Sequence, residues 1–419
     1  MMSLMTVRSA RNTLMAIFAI WSCSIQAQGQ FEAPPVLDAA KILPGSIASG
    51  PNYRVEQRVV NDGLMNTYRI TSTFGTFDAR SDAELTKRVQ EIGAIAKLKE
   101  LERSKEFAKG IESTAGNVVE GTKSLVTKPV ETVGGAVRGA GTMLRRTGDS
   151  LFGDPKSRYE DDALKSIAGV SENKREFAAR LNVDPYSSNE VLQEALTRVA
   201  RAAAAGNIVT AGALAAVGGG AGTAVSVTSG SQTLNEMLKE MPPTDIRRMN
   251  REKLQKIGIS SDLIDLFNGN SNLSPTYQTL LVDALERLKG VSGREALVKS
   301  AIAADSDALA MLRQRQARML AGFHERVQPL QSLTAAGNVI AARTRDGKVV
   351  VAVPVDYIVW TNSVANGAST ATAQLQASAG SAARELWVGG GLTPVARKEY
   401  EARGWKVFDK AADKLIGPG

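Results

Sequence analysis

The sequence predicts an α+β fold, predominantly helical, with an N-terminal β-hairpin element, a central helical array and a small C-terminal strand–helix–strand domain. Three observations carry this expectation. Two loops ending in glycine, Asn61-Asp62-Gly63 and Arg345-Asp346-Gly347, each separate β-rich runs, and such residues tolerate the positive φ of tight hairpins. Between them, apolar residues recur at helical spacing behind Ser, Asp and Pro start signals. Near the end, Glu385–Val388, a Gly389–Gly391 turn, a helix opening at Thr393-Pro394 and Trp405–Phe408 alternate strand with helix. With 43% hydrophobic and 22% charged residues, the 419-residue chain has the balance of a globular protein.

Residues 1–27 read as a signal peptide. Arg8 and Arg11 form a positive region, Leu14–Trp21 a short apolar one, and small and polar residues follow to Gly29. Cleavage is expected after Ala27. The alternative uses Cys23, the sole cysteine, whose preceding Ile20-Trp21-Ser22 resembles a lipoprotein box with a bulky Trp21 at its middle position. One cysteine leaves no disulfide, so the fold rests on its apolar core. The expected location is the periplasm or cell envelope, or outside the cell, which argues against a nucleotide cofactor and a nucleic-acid target. The net charge of +8 falls to about +6 without Arg8 and Arg11 and favours an anionic partner.

Residues 28–50, with three prolines and three glycines, read as an extended linker. Residues 51–110 read as a hairpin plus helix. Strands are expected over Tyr53–Val60 and Leu64–Ser72, with a third through Thr73–Phe77. Ser81 and Glu84 form a capping box for a helix to about Lys109, with Leu85, Val89, Ile92, Ile95 and Leu98 on one face.

Residues 111–151 carry an unusual period. Ile111, Thr122, Val133 and Leu144 fall eleven apart; so do Ala115, Val126, Val137 and Gly148, and Val118, Pro129, Ala140 and Leu151. Eleven residues in three turns keeps one stripe aligned along a nearly straight helix, which suits a flat surface. Lys123, Lys128, Arg138, Arg145 and Arg146 lie beside the stripe, placed for lipid headgroups or an acidic partner. Val126, Val133, Val137 and Leu144 are the expected apolar contacts. Eight glycines between Gly110 and Gly148, with Pro129, weaken such a helix in isolation. It must borrow stability from what it lies on, either its own chain or an external surface.

Residues 152–330 read as a helical region. Helices are expected near Tyr159, from Ser171-Glu172, and over Asn189–Ala205, with a turn at Asp184-Pro185-Tyr186. An uncharged Ala/Gly-rich stretch follows over 202–235. It is long enough to span a bilayer but poor in Leu and Phe, so a buried helix with a Gly-rich turn is expected and membrane insertion is the alternative. Further helices open at Pro243, Ser261, Ser274-Pro275, Ser292 and Asp305. Residues 331–419 form the C-terminal α+β domain, with strands Val339–Thr344 and Lys348–Val353 and a helix over Val355–Ser378.

No residue is assigned a catalytic role. His324 is the only histidine, which removes His-based zinc sites and Ser-His-Asp triads, and its polar helix end suits a solvated or capping role. The carboxylates Asp161-Asp162, Asp262, Asp265, Asp305 and Asp307 sit at helix starts or on polar faces. The Gly389–Gly391 turn lacks the dinucleotide fingerprint, and Asn268–Asn272 has no carboxylate for calcium. No cofactor and no metal are implied. The expected function is a non-enzymatic, exported envelope protein that docks on an anionic membrane surface or an envelope protein through its basic amphipathic segment. The alternatives are a secreted helical protein inserting through 202–235, or an envelope hydrolase, which requires two convergent carboxylates.

Overall fold

The computed structural model describes residues 31–104, 107, 169–204, 237–238 and 240–417. Within them the chain is α+β. The segment expected to be an extended linker departs from that reading. It holds strand β1 (Val36–Asp38), the single-turn helices α1 (Ala39–Ile42) and α2 (Gly45–Ala48), and β2 (Ser49–Gly50). Asp38 caps α1 by accepting the Ala40 N–H at 3.0 Å, and Leu37, Leu43 and Ile47 pack on the adjoining core. The prolines and glycines here punctuate short elements.

The hairpin signal at Asn61-Asp62-Gly63 is realised between β4 (Arg58–Asn61) and β5 (Asn66–Ser72). With β3 (Tyr53–Val55) and β6 (Gly75–Arg80) they make an antiparallel sheet ordered β1-β4-β5-β3-β2, with β6 on β5. In β5, Asn66, Tyr68 and Ile70 are buried while Thr67, Arg69 and Thr71 face solvent, the period-2 pattern of a sheet covered on one side. The cover is α3 (Asp82–Glu102). Ser81 Oγ accepts the Glu84 N–H at 3.0 Å as the box predicts, but Glu84 reaches back to the Arg80 N–H at 2.8 Å. Of the expected face, Leu85, Ile92, Ile95 and Leu98 are buried and Val89 is half-buried. The regular helix closes at Glu102, short of Lys109. Helices α4 (Val170–Arg180) and α5 (Glu190–Ala204) complete this core through Phe177, Leu192, Leu196 and Val199.

The central array comprises α6 (Pro243–Lys256), α7 (Ser261–Gly269), α8 (Pro275–Arg287), α9 (Glu295–Ile302) and α10 (Asp307–Arg326). The start signals hold to within a few residues. Ser274 caps α8 through the Tyr277 N–H at 3.2 Å. The cap positions of α7 and α10 are Ser260 and Ser306, each one residue from the expected one, and α9 opens after Gly293. Ser292 instead bonds to the following sheet, its N–H to Gln331 at 3.0 Å.

That sheet contains β7 (Leu330–Ala336), which the sequence reading lacked, then β8 (Val339–Thr344) and β9 (Val349–Val353) as an antiparallel meander. A short ladder of β10 (Tyr357–Ile358) and helix α11 (Asn362–Ala379) follow, and β11 (Arg384–Val388) pairs parallel to β9. After β12 (Gly391–Leu392) and α12 (Pro394–Ala402), β13 (Trp405–Phe408) adds parallel to β11; α13 (Ala412–Leu415) ends the fold. The helix expected from Val355 starts at Asn362 because Thr361 caps it and residues 354–361 are drawn into the β10–β12 ladder. One face of the sheet, with Ile340, Ala342, Val350, Ala352 and Trp387, belongs to the core of α8 and α10. The other, with Ala341, Val349, Val351 and Leu386, packs with residues of α11 and α12. Helices on both faces explain why β9 (VVVAV) is a continuous apolar run.

The N-terminal and C-terminal sheets meet through their loops. Leu64 O accepts the N–H groups of Asp356 and Tyr357 at 3.1 and 3.2 Å, and Gly63 O accepts that of Val359 at 2.9 Å. Gly63 has φ +108°, and a side chain there would lie 2.9 Å from Thr361 Oγ1, so only glycine fits this approach. Glu32 straps the start of the described chain to the far side, accepting from Trp360 N–H at 2.8 Å and Thr393 Oγ1 at 2.6 Å.

Candidate functional site

The contacts expected from the sequence, Lys123, Val126, Lys128, Val133, Val137, Arg138, Leu144, Arg145 and Arg146, lie outside the described residues, as do Cys23 and Asp161-Asp162. The structure does place the points where the chain leaves and re-enters. Arg198 near the end of α5 pairs with Glu102 at the end of α3 at 3.1 Å. Val170, the first residue of α4, packs with Ala200 and Ala204 of α5. The last turn of α3, the first of α4 and the last of α5 therefore share one pole of the helical layer. The described chain leaves α3, enters α4 and leaves α5 at that pole.

Two polar clusters flank α3, and neither was anticipated. The first is closed. Lys87, 2% exposed, donates to Tyr277 OH at 2.9 Å and stands 4.0 Å from Asp307. Arg88 contacts Glu91 at 2.8 Å and Glu84 at 3.2 Å, and Glu91 also accepts from Ser187 and from Asn189 at 2.9 Å. Asp184 accepts from Thr276 at 2.6 Å and from the Tyr186 N–H at 2.9 Å. Burial alone would lower the Lys87 pKa, but Tyr277, Asp307, Glu91 and Asp184 reverse it and hold the ammonium charged. Burial would likewise raise Glu91; Arg88 and Lys87 overcome it and bring it below the usual carboxylate range. This cluster ties α3 to α8, α10 and the 184–189 turn. Arg88 and Glu91 are paired, Lys87 is enclosed by acids and Tyr277, and burial raises Asp184, an arrangement suited to holding helices together.

The second cluster is open. Asp82, the first residue of α3, is exposed, and Asp356 is half-buried. Asp356 Oδ2 accepts the Asn66 N–H at 2.9 Å and its Oδ1 the Asp82 N–H at 3.1 Å. Asp82 Oδ1 accepts from Tyr68 OH at 2.5 Å and from Asn66 Nδ2 at 2.9 Å. Burial and then the Asp82 charge raise Asp356 far above an ordinary carboxylate, although the two N–H groups and Arg315 oppose the rise. Arg315 Nε is buried without a hydrogen-bond partner, and burial lowers its pKa against the pull of Asp356 and Asp82. The site brings together two carboxyl groups, a phenol and a guanidinium. Both oxygens of Asp356 already accept backbone N–H groups, which makes the carboxyl a joint between β5, the start of α3 and the loop that carries Asp356.

The remaining sequence candidates have local roles. His324 Nδ1, near the end of α10, accepts the N–H of Leu330, the first residue of β7, at 3.0 Å, which ties the helix to the sheet and is not a helix cap. Asp265 pairs with Arg251, and Asp307 belongs to the closed cluster. At the Gly389–Gly391 turn, a Cβ on Gly390 would lie 1.9 Å from Asp356 O, so close backbone packing accounts for the glycine. Among the described residues no group of three His, Cys, Asp or Glu side chains is placed to hold a metal. None of their helices is long and apolar enough to cross a membrane. Comparison with protein-family models, curated proteins and solved structures gives no match to this chain.

The signal for the open cluster was present but dispersed. Ser81-Asp82 reads as a helix start, whereas Asp356, 274 positions away, falls in the helix expected over Val355–Ser378, and no local pattern links them. The hairpin at Gly63 that brings them together was legible; its docking on residues 356–361 was not.

Proposed function

We propose that this is an exported, non-enzymatic cell-envelope protein that docks on an anionic membrane surface through residues 111–151, an acidic face of an envelope protein being the other surface of the same chemistry. The observation that carries the reading is the eleven-residue recurrence of apolar and small residues beside Lys123, Lys128, Arg138, Arg145 and Arg146. The folded body supports it in one respect. The last described turn of α3 and the first of α4, the helices that precede and follow the segment in the chain, both pack on α5. In this reading apolar burial and phosphate–cation contacts act together, and binding weakens with salt as the cations are screened.

The test is flotation of the protein from Gln28 onward with vesicles of mixed phosphatidylcholine and phosphatidylserine. The expected result is co-flotation that falls with rising salt and is lost when Val126, Val133 and Val137 are replaced by Asp. Flotation unaffected by those substitutions would remove the segment from the interaction. Failure of the unmodified protein to float would remove the lipid surface.

A further inference from the structure

We propose that Asp82 and Asp356 form a proton-operated latch between the N-terminal and C-terminal sheets, closed while the pair holds a proton and loosened when both carboxyl groups are ionised. Its independence from the docking reading is complete: the latch involves only described residues, and no surface need be bound for it to act.

The geometry comes first. Asp356 sits in the loop that receives the β4–β5 hairpin, and the hydrogen bonds of the joint are arrayed around it. Its carboxyl takes the N–H groups of Asn66 and Asp82. Its own N–H and that of Tyr357 go to Leu64 O, that of Val359 goes to Gly63 O, and Asn61 Nδ2 reaches Tyr357 O at 3.2 Å. No comparable set of backbone bonds joins the hairpin to the C-terminal unit elsewhere among the described residues. A change in the charge of one carboxyl group is thus felt at the point where the two sheets touch.

The groups facing Asp356 are few. Asp82 comes from α3, Tyr68 from β5 and Arg315 from α10. Asp62 and Arg80 of the neighbouring hairpin and strand engage each other at 3.7 Å. Among the described residues neither Asp82 nor Asp356 has an ion-pair partner within 4.0 Å. Burial and the Asp82 charge raise the Tyr68 pKa, so its phenol stays a donor to Asp82 across the physiological range. Two adjacent carboxyl groups without a contacting cation resist double ionisation, and one retains a proton. Burial and the neighbouring Asp82 charge outweigh the two N–H donors and push the Asp356 pKa up to about 8, so the proton of the pair is held there.

The sign follows from linkage. A carboxyl whose pKa is higher in the closed joint than in the open one favours closure at low pH, and that contribution is lost as pH rises through the higher value. Between the ordinary aspartate range, about 3.9, and about 8, opening should grow by up to tenfold per pH unit. Above that window both carboxyl groups are charged and the joint is at its loosest.

The experiment is amide hydrogen exchange on the full chain from pH 5.5 to 8.5, each rate divided by its intrinsic rate. The expected result is a progressive loss of protection, tenfold or more overall, at Asn66, Asp82, Tyr357 and Val359, with α8 (Pro275–Arg287) unchanged as the internal reference. Asp82→Asn keeps an Oδ1 acceptor for Tyr68 and Asn66 while removing the charge, and it should flatten the pH dependence without abolishing it, because burial also raises Asp356. Direct titration of 13C-labelled aspartate carboxyl groups in the unmodified protein gives a reading that needs no variant: one carboxyl should titrate above pH 6. Protection that does not vary with pH, an equal slope in Asp82→Asn, parallel loss in α8, or the absence of any carboxyl titrating above pH 6 would each overturn the latch.

Discussion

Lys87 shows how far a single residue can depart from what its type suggests. A lysine on an amphipathic helix is ordinarily solvated, yet here the ammonium is 2% exposed and sits among Tyr277, Asp307, Glu91 and Asp184. Its positive charge is the counterion for a group of buried acids, so removing it leaves them uncompensated. Lys87→Met, which preserves the length and apolar stem, should therefore cost about 3–5 kcal/mol in urea unfolding, the scale for breaking a buried pair from one side. A loss below about 1 kcal/mol would mean that the acids find protons or water instead. The spacing of α3 placed Leu85, Ile92, Ile95 and Leu98 on a buried face, and they are buried. It gave no hint that Lys87 and Glu91 belong to a second buried face, because the groups that enclose them beyond the neighbouring Arg88, namely Tyr277, Ser187 and Asn189, are far away in sequence.

At the scale of elements, caps and turns carried most of the legible information. Ser81, Ser274 and Thr393 each use a side-chain oxygen to hold an N–H in the first helical turn, and each stands where the sequence placed a helix start. The bond matters more than the residue type. Ser260 occupies the cap position of α7 but makes no side-chain cap bond, whereas Ser274 is 2% exposed and bonds to the Tyr277 N–H. Ser274→Ala should accordingly cost about 1 kcal/mol of stability, and Ser260→Ala less than about 0.5 kcal/mol, in the same denaturant titration. Equal losses would show that serine acts at these positions through something other than its cap. Elements without such signals were missed or misplaced. β7 alternates poorly (LQSLTAA) and is fixed by the β8 ladder and by Ser292, while residues 36–50 looked like linker because their elements are very short and β1 finds its partner only in β4. The two hairpins, by contrast, are local by nature, and both stand where Asn61-Asp62-Gly63 and Arg345-Asp346-Gly347 put them.

For the whole molecule, the arrangement of cores decides how the chain unfolds. The sequence suggested a separate C-terminal α+β unit, since three of the four tryptophans and most of the strand signals after residue 330 cluster there. The packing instead divides that sheet between two cores. Trp387 stacks on Phe408 at 4.2 Å and meets the edge of Phe323 in α10 at 5.3 Å, inside the core that also contains Leu281, Leu285 and Leu320. Trp360 and Trp405 lie in the other core, against α11 and α12. A sheet whose one face is the floor of the helical array cannot lose its strands without exposing Leu281, Leu320 and Phe323 to water, each worth about 1.5–3 kcal/mol of burial. The two parts should therefore unfold in one step. Tryptophan emission, which in the chain from Gln28 onward comes only from Trp360, Trp387 and Trp405, should follow the same urea curve as helical circular dichroism. Trp387→Leu, which weakens the shared core, should shift both curves together. An emission transition at lower urea than the helical one would show instead that the C-terminal sheet detaches as a unit, and that the contact through Trp387 is a docking of two domains.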